Sequence, residues 1–417
     1  MKIWRLNKGA DRRFRQGHPW IFASEVGHSI KEVMPGEVVE LRDSQDHFLA
    51  FGYAHPSSQI CFRRLSSRAQ DRDVLSARFF TERLRAARDL RLRAGWASAS
   101  HRWLFAESDG VPGLVVDAFL RSEGGWLVVA QASTAGIERA LPALYEALES
   151  FKAELGDFAI VEAPSSKSRA AEGLKVGEKK VVRGAAKGLE DAAIRLSHGL
   201  NLRCDLLHGQ KTGFFLDQQW NAGVLRQLLA WHFTGEKRVV RVLDICCYVG
   251  QWSAHIVEAL HEAGMRAEVT LADTSSTALT IAANNLRALE AGVTLLEGDA
   301  LTTIGGLPAG GFDVVVCDPP AFVKKRADLA QGLQAYTKLN RDAMKTVVSG
   351  GLYVASSCSG LVKGEDWREV LLQAGSKANR MFKQLAKGGH GPDHPTRPEF
   401  PEGEYLKCEI GRIEYPY

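Results

Sequence analysis

The sequence predicts an α/β fold: a parallel sheet covered by helices in the C-terminal half, behind a small β-rich domain. Three observations carry this. From Val239 onward, short apolar runs alternate with longer stretches of helical spacing. Those apolar runs are near-continuous, as strands buried on both faces are. The first 70 residues instead show short runs broken by Gly, Pro, Asp and His, the pattern of strands and turns.

In that first region Trp20–Phe22, Val38–Leu41, Leu49–Tyr53 and Ile60–Leu65 predict the strands of a β-barrel-like domain. Leu75–Ala94 sets Phe79, Phe80, Leu84, Ala87 and Leu90 at helical intervals with Arg between them, and is expected to link this domain to the next. Strands are expected at Leu114–Asp117, Leu127–Gln131 and Phe158–Glu162, with a helix at about Gly136–Ser150. Lys175–Gly188, rich in Gly and Lys, reads as a loop or hairpin. The C-terminal half then gives strands at Val239–Ile245, Val269–Ala272, Val293–Leu296, Phe312–Cys317, Leu352–Ala355 and about Tyr405–Ile413. Helices are expected at Ser253–Ala263, Ser275–Glu290, Asp328–Val348 and Glu365–Ala378. In such sheets the ligand sits beyond the carboxyl ends of the strands, so functional residues should follow strands directly.

Composition narrows the class. A chain of 417 residues allows two or three domains. No apolar run approaches the ~18 residues of a membrane span, and the N-terminal stretch lacks the apolar core of a secretory signal. No membrane partner is expected, and the expected location is the cytoplasm. Seven cysteines, without C-x-x-C spacing, argue against a disulfide framework and a zinc ribbon, so no metal is expected. The net charge of +4 is uneven: residues 1–100 hold 18 Lys and Arg against 11 Asp and Glu, while the other 317 hold 35 against 38. A basic N-terminal region on a near-neutral body suits a polyanion. A solvated Arg-rich helix is the plainer reading of the same charge.

The segments after the strands carry the chemistry. After the first comes Asp244-Ile-Cys-Cys-Tyr-Val-Gly250, one glycine behind an acid. The absence of G-x-G-x-x-G argues against a pyrophosphate, which needs several glycines for its backbone cradle. A cofactor without phosphates, such as S-adenosylmethionine, needs room for its methionine portion and a carboxylate facing its cationic groups. Asp273 ends the second strand, where an acid accepts from ribose hydroxyls. Asp299 follows the third, where an adenine amino group would lie; each acid could alternatively be a helix N-cap, although three acids after three successive strands are more than capping alone accounts for. His208–Gln218 breaks regular patterning, and its paired aromatics beside Lys, Thr and Gln suit a lid over the cofactor or a turn before a helix at Asp217.

The fourth strand ends in Cys317-Asp318-Pro319-Pro320-Ala321-Phe322, the sharpest local signal in the chain. The proline pair fixes an extended backbone and holds Asp318 at a pocket rim. Phe322 is placed to stack on a flipped base. This D-P-P-x-F pattern resembles the substrate motif of base-modifying methyltransferases. The fifth strand ends in Ser356-Ser-Cys358-Ser-Gly360, a cysteine between small residues. Carbon 5 of a pyrimidine is a poor nucleophile, and thiolate attack at C6 makes it an enamine carbon able to take a methyl group. Cys358 stands where such a thiolate belongs, although free cysteines are more often simply buried.

Taken together, these segments are similar to the bacterial 23S ribosomal RNA (cytosine-5)-methyltransferase family with an N-terminal PUA domain. The matching stretches are Gly17–Phe22, Glu107–Leu114, Lys211–Gln218, Asp273–Ser275, Asp318–Phe322, Ser357–Leu361, Asp393–Pro395 and Pro401–Gly403. The resemblance implies a PUA domain over residues 1–74, a linker helix and small α/β middle domain over 75–195, and a class I (Rossmann-like) methyltransferase domain over 196–417. That last domain would hold a mostly parallel, seven-stranded sheet. It implies Cys358 and Asp318 as catalytic residues, and Pro319, Pro320 and Phe322 against the substrate. S-adenosylmethionine would be held by Thr212, Phe214, Phe215, Asp217, Gln218, Asp244, Gly250, Asp273 and Asp299. The implied partner is 23S rRNA or a large-subunit precursor, and a homodimer stays open. Two departures stand out: Ala321 occupies the place where many RNA cytosine-5 enzymes keep a second cysteine, and the loop Cys246–Trp252 replaces an aromatic-rich Gly-Gly form. Two rival readings remain. One is nitrogen methylation through the D-P-P-x-F motif without a cysteine. The other is a non-catalytic RNA-binding protein on a degenerate fold.

Overall fold

The computed structural model describes residues 1–27, 30–164, 168–185, 187–235 and 238–416. The chain forms two compact units, Met1–Leu216 with Pro392–Gly403, and Asp217–Gly391 with Glu404–Tyr417. Its backbone therefore passes between the units three times. No helix among the described residues is long and apolar enough to cross a membrane.

The first unit opens with a five-stranded sheet, in the order Lys2–Arg5, Glu37–Arg42, Phe48–Ala54, Ile60–Ser66, Trp20–Phe22. Its alternating residues bury a core that includes Trp4, Phe14, Ile21, Val39, Leu41 and Phe62. All four strands expected in this region are present, and Lys2–Arg5 is added as an edge strand too short to show periodicity. The helix Ala77–Arg93 is N-capped by Ser76, whose Oγ accepts from the Phe79 amide at 3.2 Å. The sequence places a linking helix here, and it packs into a core shared by the sheets on either side of it. Phe80 and Leu84 are fully buried in one cluster with Tyr53 of the first sheet and Trp103 and Phe119's neighbour Ala118 of the second.

That second sheet pairs Lys180–Arg183, Phe158–Glu162, Trp126–Ala132, Leu114–Arg121, Ala192–Arg195 and Asn201–Cys204, with His101–Phe105 also on Leu114–Arg121. Lys180–Arg183 lies in the stretch expected to be a loop or hairpin, of which residue 186 is outside the described residues. Arg91, fully buried, forks onto Asp109 at 2.8 and 2.7 Å and donates to the Asp393 carbonyl at 2.8 Å. The returning segment Pro392–Gly403 is thus stitched into this unit, and Phe400 sets its ring edge-on to Trp20 at 4.8 Å.

The second unit is a seven-stranded sheet. Its strands are β1 (Val239–Ile245), β2 (Arg266–Asp273), β3 (Gly292–Glu297), β4 (Phe312–Cys317), β5 (Val347–Ser357), β6 (Met381–Gly388) and β7 (Lys407–Glu414). They lie in the order β3-β2-β1-β4-β5-β7-β6. The first five pair in parallel, and β7 runs antiparallel to both β5 and β6. This is the class I methyltransferase arrangement expected from the sequence. The order reverses between β1 and β4, so the loops after these strands diverge and open a crevice. Helices Gln251–Glu262, Ser276–Arg287, Leu329–Thr346 and Gly364–Ala378 occupy the expected places within a few residues, preceded by Gln219–His232. Only β6 had no counterpart in the sequence reading.

Candidate active site

The loop after β1 is strained. Cys246 and Tyr248 both hold positive φ, 64° and 49°, a conformation that costs non-glycine residues about 1 kcal/mol or more. Gly250 completes the turn at φ +82°, and a Cβ there would sit 3.2 Å from that of Ala282. The amides of Cys246 and Cys247 both donate to the Ala272 carbonyl, and that of Tyr248 to Asp273 Oδ2 at 3.0 Å. Asp273 Oδ1 accepts from the Ser275 amide, so this acid organises two loops at once. Asp299 caps the short helix Ala300–Thr303 through the Leu301 amide at 2.9 Å, the N-cap role its position allowed, and stays exposed.

Asp244 is fully buried. Its Oδ2 accepts from the Ser253 hydroxyl at 2.6 Å and amide at 3.2 Å, whereas Oδ1 is buried with no partner. Burial pushes this carboxyl up to about 7, against the pull of the Ser253 bonds. An acid held so close to neutrality suits a cationic neighbour, which would restore its charge.

Asp318 sits at the end of β4, its backbone pinned to the Ile245 carbonyl across the switch point. Gln218 Nε2 and Trp252 Nε1 both donate to its Oδ2, at 3.0 and 3.1 Å. Burial raises its pKa to about 6. The Gln218 amide is fully engaged: Nε2 also reaches Ser356 Oγ at 2.9 Å, and Oε1 accepts from Asn221 at 2.7 Å. Asp217 is buried and accepts from the Tyr405 hydroxyl at 2.6 Å.

Cys358 follows β5 on a turn of small residues, half-buried, with its thiol 4.0 Å from the Pro319 carbonyl. Two segments 39 residues apart in sequence meet here. Pro319 is buried and Pro320 exposed; Phe322 lies over Tyr336, ring centroids 4.6 Å apart. The Tyr336 hydroxyl contacts Ser359 Oγ at 2.8 Å and accepts from the Phe322 amide at 3.3 Å, tying the two segments together. The other cysteines contrast with Cys358. Cys61, Cys204, Cys247, Cys317 and Cys408 are buried, and burial pushes the Cys317 thiol up to about 12 and that of Cys246 well above its ordinary value. Cys358 alone is both partly accessible and beside the proline motif.

Asp217, Gln218, Asp244, Gly250, Asp273, Asp299, Asp318, Pro319, Pro320, Phe322 and Cys358 all belong to the second unit, at or near the carboxyl ends of its strands. Thr212, Phe214 and Phe215 belong to the first unit, Thr212 and Phe214 buried there in an irregular segment. Ser356, Asn221 and Tyr336 were not anticipated: each acts through another side chain, a relation that spacing along one segment cannot show. No cluster of three or more metal-ligating side chains occurs among the described residues.

Comparison with known proteins agrees with this anatomy. A model of the PUA-like domain matches residues 5–67, and one of the methyltransferase domain matches residues 242–341. The chain is 33% identical to the ribosomal RNA large subunit methyltransferase of Deinococcus radiodurans, over 97% of this chain and 95% of that protein. It is 32% identical to ribosomal RNA large subunit methyltransferase I of Erwinia tasmaniensis, over 98% of each chain, and 31% identical to that of Photobacterium profundum, over 96% and 97%. Among solved structures, SMU.776 in complex with SAH superposes with a TM-score of 0.75, covering 99% of this chain and 100% of that one at 16% identity, a likeness of fold.

Proposed function

Because the chain belongs to the ribosomal RNA large subunit methyltransferase family, we propose that it methylates C5 of a cytosine in 23S ribosomal RNA, with Cys358 as nucleophile. The observation that carries the reading is the meeting of the Cys358 thiol with the Pro319 carbonyl beside Asp318. A partly accessible thiol is thereby set against the backbone of the residue that follows Asp318, whose carboxyl burial raises to about 6.

The second unit fits S-adenosylmethionine: Asp244 keeps a buried carboxylate oxygen without a partner, and the Gly250 turn leaves space where a side chain would crowd Ala282. Asp244, Gly250, Asp273 and Asp299 would hold the cofactor. When bound, it supplies an electrophilic methyl group on a sulfonium.

The protein's own residues do the rest. The Cys358 thiolate adds to C6 of the cytosine, forming a C–S bond and moving the ring electrons onto C5 and the N3 amidine. Asp318, titrating near 6, retains its proton in part at neutral pH and donates it as a hydrogen bond to N3 as charge builds there. C5 takes the methyl group, loses its proton to solvent, and the thiolate leaves as the C5–C6 double bond re-forms. Phe322, supported by Tyr336, stacks on the flipped base. Residues 1–74, with their excess of Arg and Lys, grip RNA through phosphates and shape.

The test is nucleoside mass spectrometry of 23S rRNA from cells lacking the protein, after incubation with enzyme and methyl-labelled S-adenosylmethionine. Label is expected in 5-methylcytidine and absent with Cys358→Ala. Label in a methylated purine, or undiminished transfer by Cys358→Ala, would sink the covalent scheme.

A further inference from the structure

Lys407 opens β7 and has no part in the reaction as written above. The β5–β7 register sets it directly opposite Ser357, the residue before Cys358. Its ammonium donates to the carbonyls of Ser359 at 2.5 Å and Tyr405 at 2.8 Å. One positive charge is therefore fixed on the three-residue turn whose middle member is Cys358.

This cation is poorly compensated. Among the described residues no carboxylate lies within ion-pairing distance of Lys407, although it is half-buried. Carbonyl dipoles compensate a half-buried ammonium incompletely. Burial lowers its pKa to about 8, and the Cys358 sulfur is the group that most strongly pulls it back up. The other charges facing it are Lys363, which opposes it, and Glu404 and Asp366. On the sulfur's side, the Tyr336 hydroxyl comes from the helix Leu329–Thr346, its own ionisation opposed by Cys358.

We propose that Lys407 is a positioning residue that holds the Cys358 sulfur as a thiolate. The thiol proton passes to water, and the attacking lone pair stays beside a fixed positive charge until it meets C6. The inference rests on the reading of Cys358 as nucleophile. It gives the thiol behind two serines a fixed counter-charge. The ammonium itself transfers no proton and acts by its charge alone.

The test uses the full-length protein without RNA. Alkylation of Cys358 by iodoacetamide is followed across pH 5.5 to 9.5, a range of about four units around the ordinary thiol value, by peptide mass spectrometry. Wild type is compared with Lys407→Gln, which keeps donors for both carbonyls without the charge, and Lys407→Arg, which keeps the charge. Circular dichroism melts establish that each variant is folded. Lys407→Gln is expected to raise the alkylation midpoint by about one pH unit and slow alkylation at pH 7 about tenfold, with Lys407→Arg close to wild type. An unchanged midpoint in folded Lys407→Gln, or equal shifts in both variants, would overturn the proposal. The two readings fail separately: transfer by Cys358→Ala is scored on RNA, whereas the thiol titration reports Lys407 alone.

Discussion

Gln218 donates to Asp318 at 3.0 Å across 100 residues of sequence, joining the first turn of the second unit to the end of β4. The same amide nitrogen reaches Ser356 on β5, so one side chain braces both strand ends that frame the site. Replacing it with Glu would put a second carboxylate against Asp318, whose pKa burial has already raised to about 6. Like charge at that distance raises the pKa further, by about one unit or more. In Gln218→Glu the limb of the pH profile of kcat/KM that reports Asp318 is expected to move to higher pH by that amount. An unmoved limb would show that Asp318 does not titrate in the reaction.

Asp244 makes stability depend on pH in an unusual sense. Its folded pKa of about 7 stands above the unfolded value of 3.8, so the folded state holds the extra proton. The stabilisation is complete below about pH 4 and is lost as pH rises through 7. Asp244→Asn removes this dependence. Its unfolding free energy relative to wild type, from denaturant titration, is expected to rise between pH 4 and pH 8 by an amount of order a few kcal/mol. A constant difference across that range would mean that Asp244 stays ionised.

Arg91 tests the first unit. Removing it leaves Asp109, 7% exposed, without its fork and the Asp393 carbonyl without its donor. Breaking a buried pair from one side costs about 3–5 kcal/mol. Arg91→Ala should therefore lower the unfolding free energy from denaturant titration by that much, whereas Arg78→Ala, an exposed pair with Glu82, should cost less than about 1 kcal/mol.

Lys324, Lys325 and Arg326 are exposed immediately after the proline motif and Phe322. If RNA is drawn to this edge, replacing all three with Ala weakens binding and flattens the plot of log affinity against log salt by about 2. S-adenosylmethionine affinity should stay unchanged, which filter binding and calorimetry would check.

Much of this was legible in the sequence because the chemistry follows the strands. The runs Val239–Ile245 and Phe312–Cys317 match β1 and β4 end to end, since strands buried on both faces carry a near-continuous apolar signal, here broken only by Arg241, Asp244 and Asp313. Asp318 and Cys358 could be singled out because each ends such a run. β6 was not visible: Met381–Gly388 is a sheet edge with Lys383, Gln384 and Lys387 facing water, and edges carry polar residues. Lys407 escaped for a different reason. Its place opposite Ser357 depends on an antiparallel register between segments 50 residues apart, which leaves no local trace. The depth at which the helix expected over Leu75–Ala94 is buried was hidden because Arg91 looks like surface charge until Asp109 and Asp393 are seen around it.

The triple passage of the backbone between the two units bears on how such a protein can be recombined. A fragment ending at Leu216 would lack Pro392–Gly403, and with it the acceptor for Arg91 and the ring against Trp20. The N-terminal portion is thus not a cassette that a gene fusion can lift away and graft onto a foreign enzyme. Any exchange that keeps the first unit's packing must carry the twelve residues Pro392–Gly403 along with it, although the whole sheet of β1 to β6 lies between them and Leu216 in sequence.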